Sequence, residues 1–235
     1  MKTLIVIPTY NEKQNITKLL GDIFNLGIDE LSVLVVDDNS PDGTGQIIDQ
    51  LKSGNNSLDI MHRPTKAGLG RAYVAGFSEA IVRGANYILQ MDADFSHDPK
   101  YIPELLRLIQ NCDVAIGSRY VAGGGTKNWG WMRRLISKSG NVYARLVLGL
   151  PFKDITGGFR CYRRAVLEKI NLNEINSIGY VFQTEILYRI HRAGFKVEEI
   201  PIIFTDRLSG QSKFSIKIIL ESFWRIIRLK FNSKN

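Results

Sequence analysis

The stretch from Tyr87 to Asp98, YILQMDADFSHD, leads from an apolar run directly into a pair of carboxylates. The run from Tyr87 to Met91 is continuous rather than alternating, which is typical of a strand covered on both faces of a parallel sheet. Asp92 and Asp94 follow it, one residue apart. Ligands of such sheets bind beyond the carboxyl ends of the strands, so we expect both carboxylates in a binding crevice. Together they can hold a hard divalent cation such as Mg²⁺ or Mn²⁺, with substrate phosphate oxygens as further ligands.

Four more short apolar runs flank this strand, and stretches with helical spacing separate them. The runs are 4–7, 31–36, 58–61 and 114–116, and the helical stretches are 13–26, 72–80 and 102–109. Strands that alternate with helices predict an α/β fold, with a mostly parallel sheet and helices on both faces. The run 31–36 ends in Asp37 and Asp38, which places two further carboxylates at the same edge of the predicted sheet.

The pattern changes after about residue 120. Gly123 to Gly125 predict a mobile loop, and helices over 131–148 and 178–192, a strand over 197–204 and a helix over 214–231 follow. The first and last of these helices are basic on one side and apolar on the other, which suits a helix at a membrane interface; cover helices on the sheet are the alternative. The longest charge-free run, 175–184, is far shorter than the roughly 20 apolar residues of a membrane span.

Charge is unevenly distributed along the chain. It has 31 Lys and Arg against 23 Asp and Glu, yet residues 114–153 contain seven bases and no acid. Such a segment favours an anionic partner: substrate phosphates, a membrane surface or nucleic acid. No GxGxxG follows the first strand and no GxxxxGK[ST] occurs, which disfavours dinucleotide binding and P-loop hydrolysis. Cys112 and Cys161 lack metal-ligand spacing and fit a reducing compartment.

Seven motifs occur in order between residues 8 and 214: PTYNE, VVDDNSPDGT, KAGLGRAY, MDADFSHDP, GSRY, TGGFRCYRR and DRLSGQSKF. Together they resemble the inverting family-2 glycosyltransferases, and within them the polyprenyl-phosphate enzymes of the dolichol-phosphate mannosyltransferase type. The resemblance implies a GT-A fold, a divalent metal, a nucleotide-sugar donor and a lipid-phosphate acceptor. It favours GDP-mannose as donor and dolichyl or polyprenyl phosphate as acceptor. A polyprenyl-phosphate glucosyltransferase that uses UDP-glucose, or another uridine-linked donor, is the alternative.

The resemblance also implies roles for individual residues. The implied contacts of the nucleotide sugar are Pro8, Tyr10, Glu12, Asp37, Asp38, Asp92, Ala93, Asp94, Arg119, Gln183, Arg207 and Lys213. The implied catalytic residues are Asp94, Arg119 and Arg207. The implied metal residues are Asp92, Asp94 and Ser96, the last standing where some relatives carry Gln. The implied acceptor-phosphate residues are Arg119, Arg133 and Ser137. Arginine suits these phosphate roles because its fork matches a phosphate bidentately. For Asp37, a strand-end turn is the alternative.

The acceptor can also be argued from chemistry. Related enzymes that glycosylate a sugar hydroxyl usually supply a base from a Glu-Asp pair, whereas this chain reads FQTEI at 182–186. A hydroxyl loses its proton during attack, and a poised base contributes about 10²–10⁴-fold. A phosphate monoester, with a second pKa near ~6, is already mostly dianionic at neutral pH. The missing pair therefore favours a phosphate acceptor, and a single displacement predicts inversion to a β-linked lipid product.

The resemblance and the lack of a long apolar run together indicate where the chain acts and how it is divided. We expect a GT-A catalytic domain over 1–213, a C-terminal amphipathic helix over 214–235, no transmembrane domain and no signal peptide. The chain would be peripheral on the cytoplasmic face of a membrane, either self-sufficient or with a separate membrane-anchoring subunit. The alternative hypothesis from outside the enzymes is a nucleic-acid-binding module. Such a module does not require paired carboxylates such as Asp92 and Asp94.

Overall fold

The structure, a computed structural model, describes residues 1–175, 177, 179, 181–206 and 216–232, and in the last helix the side chains of 223–231. Within these residues the strands are β1 (Thr3–Thr9), β2 (Leu31–Asp37), β3 (Leu58–His62), β4 (Tyr87–Gln90), β5 (Val114–Ser118), β6 (Gly125–Lys127), β7 (Arg160–Arg163), β8 (Val197–Pro201) and β9 (Ile203–Thr205). The α-helices are α1 (Ile16–Phe24), α2 (Thr44–Lys52), α3 (Leu69–Val82), α4 (Ile102–Leu108), α5 (Trp131–Leu148), α6 (Arg164–Lys169), α7 (Val181–Arg192) and α8 (Ile216–Asn232).

The main sheet has the strand order β3-β2-β1-β4-β7-β5-β8. Its strands run parallel except β7, which pairs antiparallel with both β4 and β5. Side chains of β1 alternate between two hydrophobic cores: Leu4 and Val6 pack on one side of the sheet, Ile5 and Ile7 on the other. Helices α1, α2 and α4 cover the second side, and α3 with α5 to α8 cover the first. The predicted α/β fold with helices on both faces is confirmed.

Several elements differ from the prediction because their sequence signal is short or polar. Strand β7 has the sequence RCYR, and its Arg160 is fully buried, which no hydrophobic pattern indicates. Helices α2 and α6 were also not predicted. The predicted strand 197–204 is two strands in different sheets, and the predicted loop is wrong for Gly125, which lies in β6 and pairs with β9.

The two helices predicted at a membrane interface pack against each other. The Tyr143 hydroxyl of α5 donates a 3.2 Å hydrogen bond to the Phe223 carbonyl of α8, and Ile226 of α8 is buried in the core. Both helices therefore cover the sheet. Helix α5 also exposes large apolar side chains, including Trp131 and Leu146 at 73% and 77% exposure, and its interfacial role stays a prediction. Among the described residues, no helix is long and apolar enough to cross a membrane.

Helix α3 lies very close to the first two strands. A Cβ atom added at Gly76 would lie 2.3 Å from Val6 Cγ1 and 3.1 Å from Val36 Cγ2. Both contacts are shorter than van der Waals separation, so only glycine permits this approach. Gly21 in α1 is the opposite case, because an added Cβ would meet no atom within 4 Å.

We expect Gly76→Ala to lower the free energy of unfolding by about 1–3 kcal/mol, because the added methyl forces α3 off the sheet. Gly21→Ala is the matched control and should raise stability by up to about 1 kcal/mol through helix propensity. Urea denaturation of both variants measures the difference. Equal stability of Gly76→Ala and the wild type would show that α3 does not depend on this close approach.

Candidate functional site

The carboxyl ends of β1, β2 and β4 meet at one edge of the sheet, and each leads into a strained turn. Asn11, Asn39 and Phe95 follow these strands with left-handed backbones, at φ of 63°, 58° and 60°. Asparagine tolerates this conformation, whereas a bulky residue such as phenylalanine rarely adopts it. Left-handed non-glycine residues also occur elsewhere, for example at Glu30, but at this edge three of them lie beside Asp92 and Asp94. Their combination with the two carboxylates marks this edge as the candidate site.

Asp92 is held from two sides. The Tyr73 hydroxyl on α3 donates a 2.5 Å hydrogen bond to Asp92 Oδ1, and the Asp92 backbone N–H donates to His97 Nδ1 at 3.0 Å. Burial and the charge of Asp92 raise the pKa of Tyr73, so its hydroxyl keeps the proton that it donates. Burial lowers the pKa of His97 against the opposing pull of the neighbouring carboxylates, so the neutral ring accepts at Nδ1. The orientation of Asp92 is therefore fixed by packed neighbours.

Asp94 is oriented by the residue two positions later. Both the backbone N–H and the hydroxyl of Ser96 donate to Asp94 Oδ1, at 3.1 and 2.5 Å. Ser96, implied above as a metal residue, is thus a hydrogen-bond donor to a carboxylate in this structure. The described residues contain no cluster of three or more His, Cys, Asp or Glu that could hold a metal. Two hard carboxylates fixed by outer partners fit a divalent cation whose other ligands come from a diphosphate.

The carboxylates at the end of β2 are engaged inside the fold. Asp37 is 2% exposed and accepts from the Thr9 hydroxyl at 2.9 Å and from the Ser40 N–H and hydroxyl at 2.9 and 2.5 Å. Asp38 pairs with Arg63 at 2.5 Å. Asp37 therefore forms the strand-end turn that was the alternative for it. Its contact with a nucleotide, and that of Asp38, stay predictions.

The PTYNE turn after β1 lies beside these residues. Pro8 is buried at the end of β1, and Tyr10 is half-buried. The Glu12 N–H donates to the Thr44 hydroxyl at 3.0 Å. The Lys66 ammonium lies 3.3 Å from the centroid of the Tyr10 ring. No role was predicted for Lys66. Ala93 is buried between the two metal-candidate carboxylates.

A buried ion pair dominates the basic side of the edge. Arg119 donates from Nε and Nη2 to the two oxygens of Asp154, each at 2.7 Å, and its backbone N–H donates to Asp154 at 2.9 Å. Burial disfavours the Asp154 carboxylate, but the charge and hydrogen bonds of Arg119 outweigh it and hold the pKa of Asp154 below its usual value. One edge of the Arg119 fork, expected to face phosphate, therefore faces a carboxylate. Asp154 is a site residue that no motif singled out.

Two of the three predicted acceptor residues, Arg133 and Ser137, lie on α5 and have partners. Arg133 Nη1 pairs with Asp206 at 2.6 Å, and its guanidinium lies 4.3 Å from the Trp129 ring. The Ser137 hydroxyl is 2.8 Å from the Tyr120 hydroxyl. Arg207 and Lys213 lie outside the described residues.

Helix α7 carries the segment from which related enzymes supply a base. Gln183 is buried, with no hydrogen-bond partner for its Oε1 within the described chain. Glu185 is 3% exposed and accepts from Arg189 Nε and from the Ser177 N–H, each at 3.0 Å. Glu185, the carboxylate of this segment, is thus already hydrogen-bonded within the fold.

Comparison with known proteins identifies the fold family. Residues 4–171, well over half of the chain, match the family described as glycosyl transferase family 2. The chain belongs to glycosyl transferase family 2. The resemblance drawn from the motifs and the prediction of a glycosyltransferase are therefore confirmed.

Two named relatives are similar over nearly the whole family-2 chain. A polyprenol monophosphomannose synthase of Mycolicibacterium smegmatis is 45% identical and aligns over 96% of this chain and 85% of its own length. An undecaprenyl-phosphate mannosyltransferase of Micrococcus luteus is 43% identical over 97% of this chain and 93% of its own length. These names describe the relatives, and both concern transfer of mannose to a polyprenyl carrier.

Solved structures share the fold at low sequence identity. A mannosyltransferase from Pyrobaculum calidifontis, in complex with GDP-Man and Mn²⁺, has a TM-score of 0.67 at 15% identity and covers 97% of this chain and 64% of its own. Glucosyl-3-phosphoglycerate synthase from Mycobacterium tuberculosis, with Mn²⁺ and UDP, has a TM-score of 0.66 at 16% identity and covers 98% and 79%. The predicted GT-A-type fold of this family-2 protein is confirmed.

We expect Tyr73→Phe to weaken binding of Mn²⁺ in the presence of donor by about 10–100-fold, the usual effect of removing an outer partner of a metal ligand. Tyr162→Phe is the matched control, because the equally buried Tyr162 donates to Gln90 at 2.8 Å and not to a site carboxylate. Titration of both variants with Mn²⁺, followed by electron paramagnetic resonance, measures the difference. Equal losses in the two variants would assign Tyr73 a packing role alone.

We expect Asp154→Asn to lower the free energy of unfolding by about 3–5 kcal/mol at neutral pH, because it leaves the Arg119 charge buried without its partner. Asp22→Asn, which breaks the exposed pair with Lys18, should cost at most about 1 kcal/mol.

The pH dependence of the Asp154 effect follows from the lowered pKa. A depressed carboxyl pKa stabilises the fold above the unfolded pKa of about 3.9 and loses this contribution as the pH falls through the folded value. The difference in free energy of unfolding between the wild type and Asp154→Asn should therefore shrink below about pH 4. Urea denaturation curves recorded over this pH range measure that difference. A difference that does not change with pH would contradict the view that the ionised Asp154 carboxylate stabilises the fold.

Proposed function

We propose that this family-2 protein transfers mannose from GDP-mannose to dolichyl or another polyprenyl phosphate, releasing GDP and dolichyl β-D-mannosyl phosphate. The choice of sugar rests on the two relatives, whose names specify mannose and a polyprenyl carrier at 43–45% identity. The GDP-linked donor follows from the same names and from the motifs quoted above.

The observation that supports a phosphate acceptor is the state of the nearby carboxylates. Asp154 is paired with Arg119, and Glu185 with Arg189. A general base must reach the hydroxyl proton that it takes. Asp154 and Glu185 are buried and engaged by arginines, so neither of them suits this role. A phosphate dianion needs no such base, whereas a sugar hydroxyl does. The geometry thus favours a lipid phosphate as nucleophile.

Asp92 and Asp94 are the residues that we propose hold Mg²⁺ or Mn²⁺. A bound divalent cation would neutralise the charge that develops on the leaving diphosphate. Tyr73 and Ser96 would keep the two carboxylates aimed at the cation through the hydrogen bonds described above. Arg119 keeps Nη1 without a hydrogen-bond partner among the described residues, and this group can still donate to a phosphate oxygen.

The remaining donor contacts are proposed on the family motifs alone. They are Pro8, Tyr10, Glu12, Asp37, Asp38, the backbone of Ala93, Gln183, Arg207 and Lys213. Arg133 and Ser137 would hold the acceptor phosphate, after exchanging their present contacts with Asp206 and Tyr120. In the reaction, an oxygen of the acceptor phosphate bonds to the anomeric carbon as the bond from that carbon to GDP breaks. One displacement inverts the configuration.

We also propose peripheral attachment to the cytoplasmic face of a membrane, with or without a separate anchoring subunit. Helix α5 exposes Trp131, Leu135 and Leu146, and Lys138 and Arg145 border this apolar side. An apolar strip with cations along its border suits the interface of an anionic bilayer. A polyprenyl chain in that bilayer would then lie beside the proposed acceptor residues.

The test is transfer of labelled sugar into short polyprenyl phosphate in detergent, with Mg²⁺ or Mn²⁺ and with GDP-mannose or UDP-glucose in parallel. We expect transfer from GDP-mannose, and a loss of about 100-fold or more in Asp94→Asn, since metal stabilisation is worth several kcal/mol. Asp98→Asn is the control, because Asp98 caps the short helix at Pro99–Tyr101.

Three results would contradict parts of this proposal. Transfer from UDP-glucose in place of GDP-mannose would establish the alternative donor. Transfer to a polyprenol without its phosphate would overturn the acceptor argument. Full activity of Asp94→Asn would show that Asp94 does not hold a metal that the reaction needs.

A further inference from the structure

A cavity of about 330 Å³ lies between the chain that follows β5 and the inner border of α5. Its lining contains no carboxylate residue, and its polar walls are formed by Arg119, Tyr120, Lys138, Asn141, Arg145 and Lys153. We call it the cationic pocket. It is separate from the Arg133 contact with Asp206, because neither of those residues lines it.

Arg119 is paired with Asp154, but the other three cations of the cationic pocket have no such partner in the part of the chain that the structure describes. Among the described residues, no ion pair or hydrogen bond involves the side chains of Lys138, Arg145 or Lys153. The Nε–H group of Arg145 is buried, and none of the described residues accepts a hydrogen bond from it. The Glu199 carboxylate accepts from the backbone N–H groups of Lys153 and Asp154, each at 2.8 Å.

A second cavity shows what a neutralised arrangement looks like. It has a volume of about 200 Å³ at the other edge of the sheet, and its two cations, Lys52 and Arg83, both pair with Asp59 within its lining. The cationic pocket gathers more positive charge and offers no such internal partner. Like charges held together raise the free energy of the fold unless an anion occupies the space between them.

We propose that the cationic pocket binds a phosphate group, held by Lys138, Arg145 and Lys153. Two lysines supply point charges and the arginine supplies a directed fork, a combination that matches a tetrahedral oxyanion. The Asn141 side chain is already committed to the Lys153 carbonyl and the Ile155 N–H, so it shapes the wall rather than binding the ligand. The phosphate could come from solution or from a lipid headgroup, since Lys138 and Arg145 border the exposed apolar side of α5.

The site adjoins the proposed acceptor residue Arg119, but Lys138, Arg145 and Lys153 are not among the proposed acceptor residues. The test of these three cations needs neither metal nor sugar donor. Failure of mannosyl transfer and failure of this inference are therefore distinguishable. The probes are inorganic phosphate, followed by calorimetry at low salt, and vesicles of phosphatidylcholine with or without phosphatidylglycerol, followed by flotation. The test variant is the triple change Lys138→Gln, Arg145→Gln and Lys153→Gln.

The matched control removes the same charge elsewhere. Arg107, Lys169 and Arg192 are exposed on α4, at the end of α6 and at the end of α7, and their triple change to Gln lowers net charge equally. We expect the pocket variant to lose at least about tenfold in phosphate affinity, the usual effect of removing one hydrogen bond to a charged group. The control variant should stay within about twofold of the wild type, since its charges are dispersed and screened.

The outcomes separate the two sources of phosphate. Loss of inorganic phosphate binding in the pocket variant alone supports a site for a free or terminal phosphate. Loss of binding to phosphatidylglycerol vesicles alone, again only in the pocket variant, supports a headgroup site. Equal losses in both triple variants, or no binding by the wild type to either probe, overturn the inference. Lys138→Gln alone, at an exposed position, gives the same comparison if the triple variant does not fold.

Discussion

The fork between Arg119 and Asp154 connects the end of β5 to the segment that enters β7. Asp154 accepts from Arg119 through both the side chain and the backbone, and it also accepts from the Gly157 N–H at 2.9 Å. Two chain segments that are distant in sequence are thereby joined at the basic side of the site. Because both charges are buried, each depends on the other, and the wall that they form is rigid as long as the pair is intact.

Strand β7 determines the spacing of the site. It runs antiparallel between β4 and β5, so the Asp92 and Asp94 turn and the Arg119 turn are two strand spacings apart, roughly 10 Å. The carboxylates and the cations are thus neighbours without being in contact, which keeps them from neutralising each other. Under the proposed function the donor diphosphate would occupy this gap, and on its basic side the carboxylates of Asp154 and Glu185 are engaged by arginines.

Sequence reasoning predicted what depends on local pattern. Continuous apolar runs indicated the parallel strands, and the pair Asp92 and Asp94 indicated the edge of the sheet that carries the site. Strand β7 escaped prediction because Arg160 is buried through hydrogen bonds to the carbonyls of Gln183 and Ile155, a tertiary arrangement. Tyr73 and Asp154 were missed for the same reason, since their partners lie 19 and 35 residues away in sequence. Asp37 accepts hydrogen bonds from Thr9 and Ser40, although its motif implied a nucleotide contact. The position of a residue in a motif therefore does not determine which groups it contacts in the fold.

The close approach of α3 to the sheet has a consequence for the chemistry as well as for packing. Gly76 lets the helix lie against Val6 and Val36, and Tyr73, on the same helix one turn earlier, spans the remaining distance to Asp92. The depth at which the helix lies therefore determines whether a hydroxyl reaches the carboxylate. The absence of a side chain at Gly76 thus affects, through Tyr73 one turn away along α3, the orientation of Asp92, the carboxylate proposed to hold a metal. Substitutions in the packing of α3 would therefore also change the candidate site.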